Sequence, residues 1–158
     1  MAIAELERHA DVCVLTQNID GLHQRAGSSH VLELHGSIVR VRCVSCGNGG
    51  ERTDGFVNIP PTCGCGGMLR PDVVWFGEPL PQDVWGEAMR HAGKCDVMVI
   101  AGTSLEVSPA NTLPYHARRG GAAVIEVNPV DTCMSSYMDY VIRGTCAGVI
   151  PEMVSLFR

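Results

Sequence analysis

The sequence predicts an α/β protein with a Rossmann-like parallel sheet and a small inserted zinc-ribbon module. Short apolar runs end repeatedly in polar clusters, as buried strands do where they meet their loops. After residue 75, strand patterns alternate with helix patterns, which is typical of βαβ units. Two cysteine pairs between residues 43 and 65 interrupt this order and predict the inserted module.

The first elements follow from apolar periodicity and from the glycines that end them. They are a helix end at residues 3–9, a strand at 12–15, a helical turn at 21–26 closed by Gly27, and a strand at 31–35 ended by Gly36. Residues 38–42 then alternate with period two, which predicts a half-exposed antiparallel strand. We therefore place the module at residues 37–72, and the parallel-sheet domain at residues 1–36 and 73–158.

The second half of the chain continues with regular α/β elements. An apolar run framed by prolines occupies residues 70–78. The further elements are a helix at 81–92, a strand at 96–101, a helix at 110–119 stopped by Gly120 and Gly121, strands at 122–127 and 139–143, and a helix at 151–157. With 158 residues, the chain is long enough for one domain with a real core.

Three of the predicted strands end in polar residues. The strand at 12–15 is followed by TQNIDGLH at 16–23, the strand at 96–101 by Gly-Thr-Ser, and the strand at 122–127 by Asn-Pro. Ligands of open α/β sheets bind just past the carboxyl ends of the strands. The three strand ends therefore predict one crevice that holds a nucleotide.

Composition narrows the possible functions. The net charge is −5, and the 12 basic residues form no block, which argues against direct contact with nucleic acid. No apolar run approaches the roughly 20 residues of a membrane span, and residues 1–9 do not resemble a signal peptide. Four clustered and four scattered cysteines favour a metal site in a reducing compartment, and hence a cytoplasmic protein.

The clustered cysteines have the spacing of a zinc site. They are Cys43, Cys46, Cys63 and Cys65, arranged as C-x2-C, 16 intervening residues and C-x-C. Two tight turns with two thiolates each suit a tetrahedral Zn²⁺, and four thiolates close its coordination shell, so the ion is predicted to be structural. Two disulfides or free thiols are the alternative, and the second pair has one spacer residue where two are usual.

Together these motifs resemble the sirtuins, the Sir2-type NAD-dependent protein deacylases. The resemblance covers nearly the whole chain and rests on blocks that occur in the family's order. They are TQNIDGLH at 16–23, LHG at 34–36, the four cysteines, LRPDVVWFGE at 69–78, GTSLEVSPA at 102–110 and EVNP at 126–129. Each block alone is weak evidence, whereas their combination is specific.

The resemblance implies a reaction between NAD and an acyl-lysine of a protein substrate. In the family, the acyl oxygen attacks the nicotinamide ribose carbon and nicotinamide leaves. A histidine then draws a proton from a ribose hydroxyl, and the acyl group passes to ADP-ribose. His35 matches that histidine, since imidazole exchanges protons near neutrality; a structural histidine at a strand end is the alternative. Asn18 is the second predicted catalytic residue, a partner for ribose or a water.

The resemblance also implies the contacts to the cofactor. The matched residues are Gln17, Asn18, Ile19, Asp20, Gly102, Thr103, Ser104, Asn128, Pro129, Val130 and Cys146. Amide, carboxylate and hydroxyl groups can bind nicotinamide, ribose and phosphate, and Gly102 allows close approach of the backbone. The alternatives are loop capping by Asn18 and Asp20, a helix cap at residues 102–104, and simple packing of Cys146.

The predicted substrate wall follows the second cysteine pair. It consists of Val74, Trp75, Phe76, Gly77 and Glu78. In the family, an extended segment here pairs with the substrate peptide as an added strand, and an apolar tunnel holds the aliphatic stem of the lysine. Without this context, such an apolar run is ordinary core.

Two family features are not in this sequence: a first strand with its Gly-Ala-Gly loop, and a loop with a Phe-Arg pair. In the family that strand lies between the strands matched by residues 12–15 and 96–101, so we expect an N-terminally incomplete sheet. Each buried backbone group left unpaired costs about 1–3 kcal/mol. The expected function is NAD-dependent lysine deacylation of the deacetylase or desuccinylase type. The alternatives are an inactive zinc-containing fragment or binding module, and protein ADP-ribosyl transfer.

Overall fold

The computed structural model describes residues 1–51 and 59–157. The strands are β1 (Val14–Thr16), β2 (Val31–Glu33), β3 (Gly36–Cys43), β4 (Gly49–Glu51), β5 (Leu69–Val73), β6 (Val97–Ala101), β7 (Ala123–Asn128) and β8 (Tyr140–Arg143). The α-helices are α1 (Ala2–Leu6), α2 (Leu22–Arg25), α3 (Gln82–Ala92), α4 (Leu113–Arg119) and α5 (Cys146–Ser155). Short 3-10 segments lie at Ala110–Thr112 and Ser135–Tyr137. Within the described ranges, no helix has the length and apolarity needed to cross a membrane.

The described strands form three sheets, two of them parallel. β1 pairs with β2, beginning with Val14 opposite Val31, and β6, β7 and β8 pair in that order. The third sheet has the order β4-β3-β5 and is antiparallel. The predicted α/β class with a parallel sheet is therefore confirmed. The antiparallel sheet occupies the predicted module and extends one residue beyond it at each end, to Gly36 and Val73. Residues 52–58 of the module lie outside the described residues.

Helices α3 and α4 pack against the parallel strands through small residues. One buried cluster combines Leu32 and Leu34 with Ala88 and Ala92 of α3. A second cluster places Ala117 of α4 against strand residues of β6 and β7. The Ala88 and Ala117 side chains are wholly buried, so each helix lies close to its neighbours. Met98 of β6 contacts both clusters and makes the core continuous.

Strands β1 and β6 are each paired on one side only among the strands that the structure describes. β1 pairs with β2, and β6 pairs with β7, so β1 and β6 belong to different sheets. Leu15 of β1 and Met98 of β6 still pack on the same buried cluster. On β6, Val97 and Val99 are 51% and 40% exposed, although parallel strands normally have both faces covered.

The last helix begins earlier than the sequence predicted. α5 starts at Cys146, not at residue 151, because Thr145 caps it: the Gly148 N–H donates to Thr145 Oγ1 at 3.3 Å. Pro151 therefore lies inside the helix and removes one backbone donor there. Prolines are common in the first turn of a helix, so Pro151 indicated a helix start at residue 151. The actual N-cap, Thr145, lies six residues earlier.

Two other boundaries also shift. The helix predicted at residues 110–119 opens with the 3-10 turn Ala110–Thr112, and α4 itself begins at Leu113. The strand predicted at residues 12–15 is β1 at Val14–Thr16, so Thr16, assigned to the following loop, is the last strand residue. The remaining predicted elements occur at their places with ends that differ by a few residues.

Strands β3 and β5 leave no room for a side chain at Gly36. This residue has a φ of +75°, and a Cβ atom there would lie 2.0 Å from the Asp72 carbonyl oxygen. Glycine is therefore required here for two reasons. The left-handed conformation is strained for other residues, and the partner backbone occupies the space that a side chain would need. Gly36 faces Val73 in the β3–β5 register.

We predict that Gly36→Ala destabilises the chain far more than Gly121→Ala. Both residues have positive φ, but only open space surrounds the Cβ position at Gly121. Gly121→Ala should cost about 1–2 kcal/mol for the backbone conformation alone. Gly36→Ala should cost roughly 1–3 kcal/mol more, because the methyl group pushes β3 from β5. Urea unfolding of both variants measures the difference; equal losses would contradict the close approach.

Candidate functional site

A cavity of about 450 Å³ opens beside the carboxyl end of β1. Its lining combines the loop after β1, the turn between β2 and β3, and the segment around the end of β5. The lining residues are Gln17, Asn18, Ile19, Asp20, His35, Val73, Val74 and Phe76. The structure thus brings together both predicted catalytic residues, three further predicted cofactor residues and two members of the predicted substrate wall.

His35 has one ring nitrogen fixed by the backbone. Its Nδ1 lies 3.1 Å from the Gln17 carbonyl oxygen, which can only accept a hydrogen bond. The neutral ring that makes this bond carries its proton on Nδ1, so Nε2 has the free lone pair. The His35 carbonyl oxygen in turn accepts the Val74 N–H at 2.9 Å. The histidine is therefore held between the β1 loop and the substrate wall, with Nε2 available as a base.

The loop after β1 is held by hydrogen bonds to Thr16, the last residue of β1, and to neighbouring backbone. Thr16 is buried, and its Oγ1 accepts the Asn18 N–H at 3.1 Å. The Thr16 carbonyl accepts the Leu34 N–H at 2.9 Å, and the Ile19 carbonyl accepts the Ile38 N–H at 2.9 Å. These bonds fix the backbone and leave the Asn18 side chain exposed at the cavity.

Asp20 has a structural partner of its own. Its Oδ1 accepts the Leu22 N–H at 3.0 Å, directly after Gly21, which has a φ of +65°. The loop-capping role weighed for this residue is therefore present. The carboxylate is exposed and has further acceptor positions, so capping leaves it able to accept from a ligand.

The second group of predicted cofactor residues lies at the carboxyl ends of β6 and β7. The Gly102 N–H donates to the Val127 carbonyl at 3.1 Å, and the Asn128 carbonyl accepts the Gly144 N–H at 3.4 Å. Gly102 has a φ of +63°, and a Cβ atom there would lie 3.0 Å from Cys146 Sγ. Gly102, Asn128 and Cys146 therefore converge. None of the three is among the described residues that line the cavity beside β1.

The remaining members of this group surround the same strand ends. Thr103 Oγ1 accepts the Leu105 N–H at 3.2 Å, which closes a local turn where Leu105 has a φ of +59°. The helix-cap alternative for residues 102–104 does not hold, because the next helical segment begins only at Ala110. The Asn128 amide donates to the Val130 carbonyl at 3.0 Å. Ser104, Pro129 and Val130 are exposed at this edge.

A buried carboxylate supports the end of β7. Glu126 is 1% exposed; it pairs with Arg143 at 2.7 Å and accepts from the Thr132 hydroxyl at 2.7 Å and the Ser135 hydroxyl at 2.8 Å. Burial opposes ionisation, but Thr132, Arg143 and Ser135 together hold its pKa below the ordinary value. Arg143 also donates to the Asn128 carbonyl at 3.4 Å. The charged network thus positions Asn128.

The predicted substrate wall is only partly buried. Phe76 is 98% exposed, and Trp75 is 57% exposed beneath the Arg70 guanidinium, 4.3 Å from the ring centroid. Gly77 has a φ of +89°, so the wall ends in a turn that needs glycine. The interpretation of residues 74–78 as ordinary core is therefore wrong for Trp75 and Phe76. A large aromatic ring in water at a cavity is a surface available to a ligand.

Glu78 closes the turn at the end of the wall. It pairs with Arg70 at 2.5 Å, and its Oε2 accepts the Trp75 N–H at 3.1 Å. The Arg70 side chain first, and the Trp75 N–H second, lower the pKa of this carboxyl to about 2. The structure thus gives Glu78 an internal role. Its predicted contact with substrate stays a prediction.

The four clustered cysteines lie at the far end of β3 and β5. Their Sγ atoms all lie within 4.8 Å of one another, with Cys43–Cys65 and Cys46–Cys65 at 3.5 Å and Cys46–Cys63 at 3.8 Å. Disulfide sulfurs would be about 2.05 Å apart. A tetrahedral ion with Zn–S bonds near 2.3 Å sets its sulfurs about 3.8 Å apart. The four thiols therefore fit a zinc ion, and the disulfide alternative is excluded here.

Backbone donors favour thiolates at this cluster. The N–H groups of Cys46 and Ser45 lower the pKa of the Cys43 thiol to about 6. At Cys46, the Asn48 N–H acts in the same direction, but the adjacent sulfurs of Cys65 and Cys43 outweigh it and raise the pKa. Several thiols this close cannot all ionise unless a cation balances their charge, and a divalent metal supplies it.

The zinc cluster is remote from the cavity. His35 precedes the first residue of β3, and Cys43 is the last residue of the same strand. A strand rises about 3.3 Å per residue, so the seven steps from Gly36 to Cys43 span roughly 20 Å, allowing for the bulge in β3. A zinc ion at Cys43 is therefore too far from His35 to take part in chemistry there.

The sequence profile of the Sir2 family matches residues 1–109, more than half of the chain. The chain belongs to the Sir2 family. Among curated Sir2-type relatives, NAD-dependent protein deacylase 2 of Pyrobaculum aerophilum is 50% identical over 155 residues, or 97% of this chain and 62% of the relative. NAD-dependent protein deacylase 1 of Archaeoglobus fulgidus is 48% identical over 161 residues, or 99% of this chain and 65% of the relative. This Sir2 chain thus spans less than two thirds of either relative.

Solved Sir2 structures share the fold. A Sir2 homologue in complex with NAD superposes with a TM-score of 0.94 and is 47% identical, covering 99% of this chain and 62% of that one. A Sir2 protein bound to a myristoylated histone peptide has a TM-score of 0.86 and 44% identity, covering 99% of this chain and 69% of that one. The predicted sirtuin resemblance is therefore confirmed.

Sequence reasoning missed three residues of this Sir2-family site. Thr16 holds the Asn18 backbone, Val73 lines the cavity, and Glu126 anchors the loop of Asn128. Thr16 and Glu126 are polar residues at the end of or inside apolar strands. A polar residue in such a place predicts a buried group that needs hydrogen-bond partners, and this signal could have identified both. Val73 gave no such signal, since only the β3–β5 register brings it beside His35.

We predict that Cys43→Ser removes one tightly bound zinc per chain and lowers solubility. Cys95→Ser is the control, because Cys95 is a half-buried free cysteine that lies outside the cluster, whereas Cys43 is buried within it. Elemental analysis of the purified proteins measures the metal. Full zinc content in Cys43→Ser, or an equal loss in Cys95→Ser, would contradict the ligand assignment.

Proposed function

We propose that this chain carries the catalytic centre of an NAD-dependent protein-lysine deacylase, which transfers the acyl group to ADP-ribose and releases nicotinamide. The supporting observation is the cavity beside β1, where His35 lies together with Asn18, Asp20 and the aromatic wall at Phe76. The relatives and solved structures named above support the same assignment by their stated activity and ligands.

In this proposal His35 is the general base. The Gln17 carbonyl holds the proton on Nδ1, so Nε2 can take a proton from a sugar hydroxyl that reaches the cavity. Asn18, whose backbone is fixed by Thr16, presents an amide that can bind the ribose or a water. Bound NAD would supply an electrophilic ribose carbon with nicotinamide as its leaving group.

Two sets of polar residues, one after β1 and one at the ends of β6 and β7, offer hydrogen-bonding groups that suit a dinucleotide. The cavity side offers amides at Gln17 and Asn18 and a carboxylate at Asp20, which match a carboxamide and a ribose. The strand ends of β6 and β7 offer Gly102, where a side chain would meet Cys146, and the Asn128 amide. We assign the nicotinamide half to the first group and the adenosine half to the second.

The substrate in this proposal is an acyl-lysine in an extended peptide segment. A Sir2 structure with a myristoylated histone peptide shows that a relative accepts this class of ligand. In the present chain, Phe76 lines the cavity and is almost fully exposed, which suits the aliphatic stem and acyl chain of a modified lysine. Acetyl and succinyl groups are the expected acyl classes.

The metal has a structural part in the proposal. Cys43, Cys46, Cys63 and Cys65 would hold Zn²⁺, which fixes the two turns that end β3 and precede β5. These strands carry His35 and Val74 at their other ends. We also propose a cytoplasmic location, since all eight cysteines are free thiols and a thiolate zinc site persists in a reducing compartment; fractionation of cells that express the chain tests it.

We predict that His35→Gln lowers acyl-peptide-dependent nicotinamide release at least about 10²-fold, since glutamine cannot act as a base. His116→Gln is the control, because His116 is a half-buried histidine on α4 outside the cavity lining. The assay mixes the chain with NAD and an acetyl- or succinyl-lysine peptide, and follows nicotinamide and O-acyl-ADP-ribose by mass spectrometry.

The same assay separates the competing functions. ADP-ribose attached to protein, without acyl transfer, would favour a protein ADP-ribosyltransferase. Zinc-loaded wild-type chain that neither binds NAD nor releases nicotinamide would favour an inactive binding module. Activity retained by His35→Gln would remove the histidine from the mechanism.

We predict that Phe76→Ala raises the KM for the acyl-lysine peptide about tenfold, as expected when a buried aromatic contact is lost at an interface. Because Phe76 is almost fully exposed, unfolding stability should not change. Phe157→Ala is the control, since Phe157 is exposed and stacks on His9 away from the cavity lining. An unchanged KM in Phe76→Ala would contradict its place in the substrate wall.

A further inference from the structure

A second cluster of metal-binding side chains lies at the other end of the first sheet. Cys13 directly precedes β1, His30 directly precedes β2, and His91 lies in the last turn of α3. Each offers one ligand atom, and these atoms all lie within 4.8 Å of one another. The carboxyl ends of β1 and β2 carry the proposed catalytic residues, so this cluster is at the opposite edge of the sheet.

The two imidazoles face one another and share a carboxylate. Their ring centroids are 4.8 Å apart in an edge-to-face arrangement. The Nε2 atoms of His30 and His91 each lie 3.7 Å from the same oxygen of Glu87, one turn before His91 on α3. Arg90 binds that oxygen at 3.0 Å and balances part of its charge. Ring nitrogens of the two elements are thus turned toward a common point.

One of these nitrogens makes no hydrogen bond to any described residue, although the Glu87 carboxylate lies 3.7 Å away. His91 Nε2 is buried and makes no hydrogen bond in the described structure. An unpaired buried polar atom costs about 1–3 kcal/mol, and native proteins keep few of them. Without a ligand, the cluster thus leaves this imidazole nitrogen unsatisfied.

We propose that Cys13, His30 and His91 bind one divalent transition-metal ion of the Zn²⁺ class, with Glu87 or a water as the fourth ligand. One thiolate and two imidazoles form a donor set that borderline metals such as Zn²⁺ and Co²⁺ prefer. Tetrahedral bonds of about 2.0–2.3 Å place ligand atoms roughly 3.3–3.8 Å apart. The ligand atoms need to close by at most about 1.5 Å to meet this geometry.

Such an ion would fix α3 to the two short strands of the first sheet. β1 and β2 have three residues each, and the Val14 N–H bonds to the His30 carbonyl at 2.9 Å at this edge. A shared metal joins the starts of both strands to the end of α3. Binding to the folded state alone also raises stability by mass action. The site is independent of the four-cysteine cluster and of the deacylase proposal.

The test titrates Co²⁺ into the purified chain after one equivalent of Zn²⁺ has filled the four-cysteine cluster. We expect one further equivalent to bind, with visible bands of tetrahedral Co²⁺ and a near-ultraviolet band from a single thiolate. Zinc retained by the protein is measured in parallel to exclude exchange. Cys13→Ser should lose the thiolate band and bind Co²⁺ at least about tenfold more weakly.

Cys95→Ser is the matched control, since Cys95 is also half-buried, yet lies outside the cluster. It should keep both bands. His30→Gln, at a side chain that is 38% exposed, decides the case if Cys13→Ser does not fold: it should weaken binding and keep the thiolate band. Failure of wild type to bind a second equivalent, or equal affinity in Cys13→Ser and Cys95→Ser, would overturn the proposal.

Discussion

The pairing of β3 with β5 is the constraint on which the rest of the site depends. At one end it places Gly36 opposite Val73, and thereby His35 beside Val74. At the other end it places Cys43 opposite Leu69, where the two cysteine turns meet. The two cysteine turns and the cavity wall thus lie at opposite ends of the same pair of hydrogen-bonded strands. A change in register at either end moves every side chain along this pair, because the side-chain period of a strand is two. Gly36 permits this pairing, since a Cβ atom at this position would collide with the Asp72 carbonyl oxygen.

The parallel strands position the predicted cofactor-binding loops in a different way. Their carboxyl ends carry short polar loops, and each loop is fixed by a buried polar residue of the preceding strand. Thr16 at the end of β1 holds Asn18, and Glu126 within β7 holds the loop of Asn128 through Arg143. Buried polar groups are costly unless they are bonded, and both of these are. The strands that bear these loops belong to separate sheets, joined through apolar contacts with α3 and α4 rather than through strand pairing.

The proposed second metal site fits this division of the molecule. The four-cysteine cluster lies at one end of the antiparallel sheet, whereas the cluster at Cys13, His30 and His91 lies where the two-stranded sheet meets α3. Small sheets are marginal by themselves, and three-residue strands form few backbone bonds. A metal ion that joins residues from three elements would add stability where the hydrogen-bond ladder is shortest. Both ions would then lie away from the chemistry and act on the parts that position it.

By itself the sequence determined the α/β class, the order of the elements and the residues that could carry chemistry. The hydrophobic period, the glycines that end helices and strands, and the cysteine spacing are all local signals that can be read from neighbouring residues. The spacing of the four clustered cysteines marked them as candidate zinc ligands, whereas His35 and Asn18 were implied by the resemblance to the sirtuins. Only the tertiary structure decided which of them meet. The register of β3 and β5 brought Val73 to the cavity, and the turn after β5 left Phe76 exposed. The start of α5 at Cys146 depended on the hydroxyl cap of Thr145, which the sequence pattern around Pro151 did not indicate. The approach of Cys13, His30 and His91, which are far apart along the chain, has no local signature, since it arises from the packing of α3 against β2.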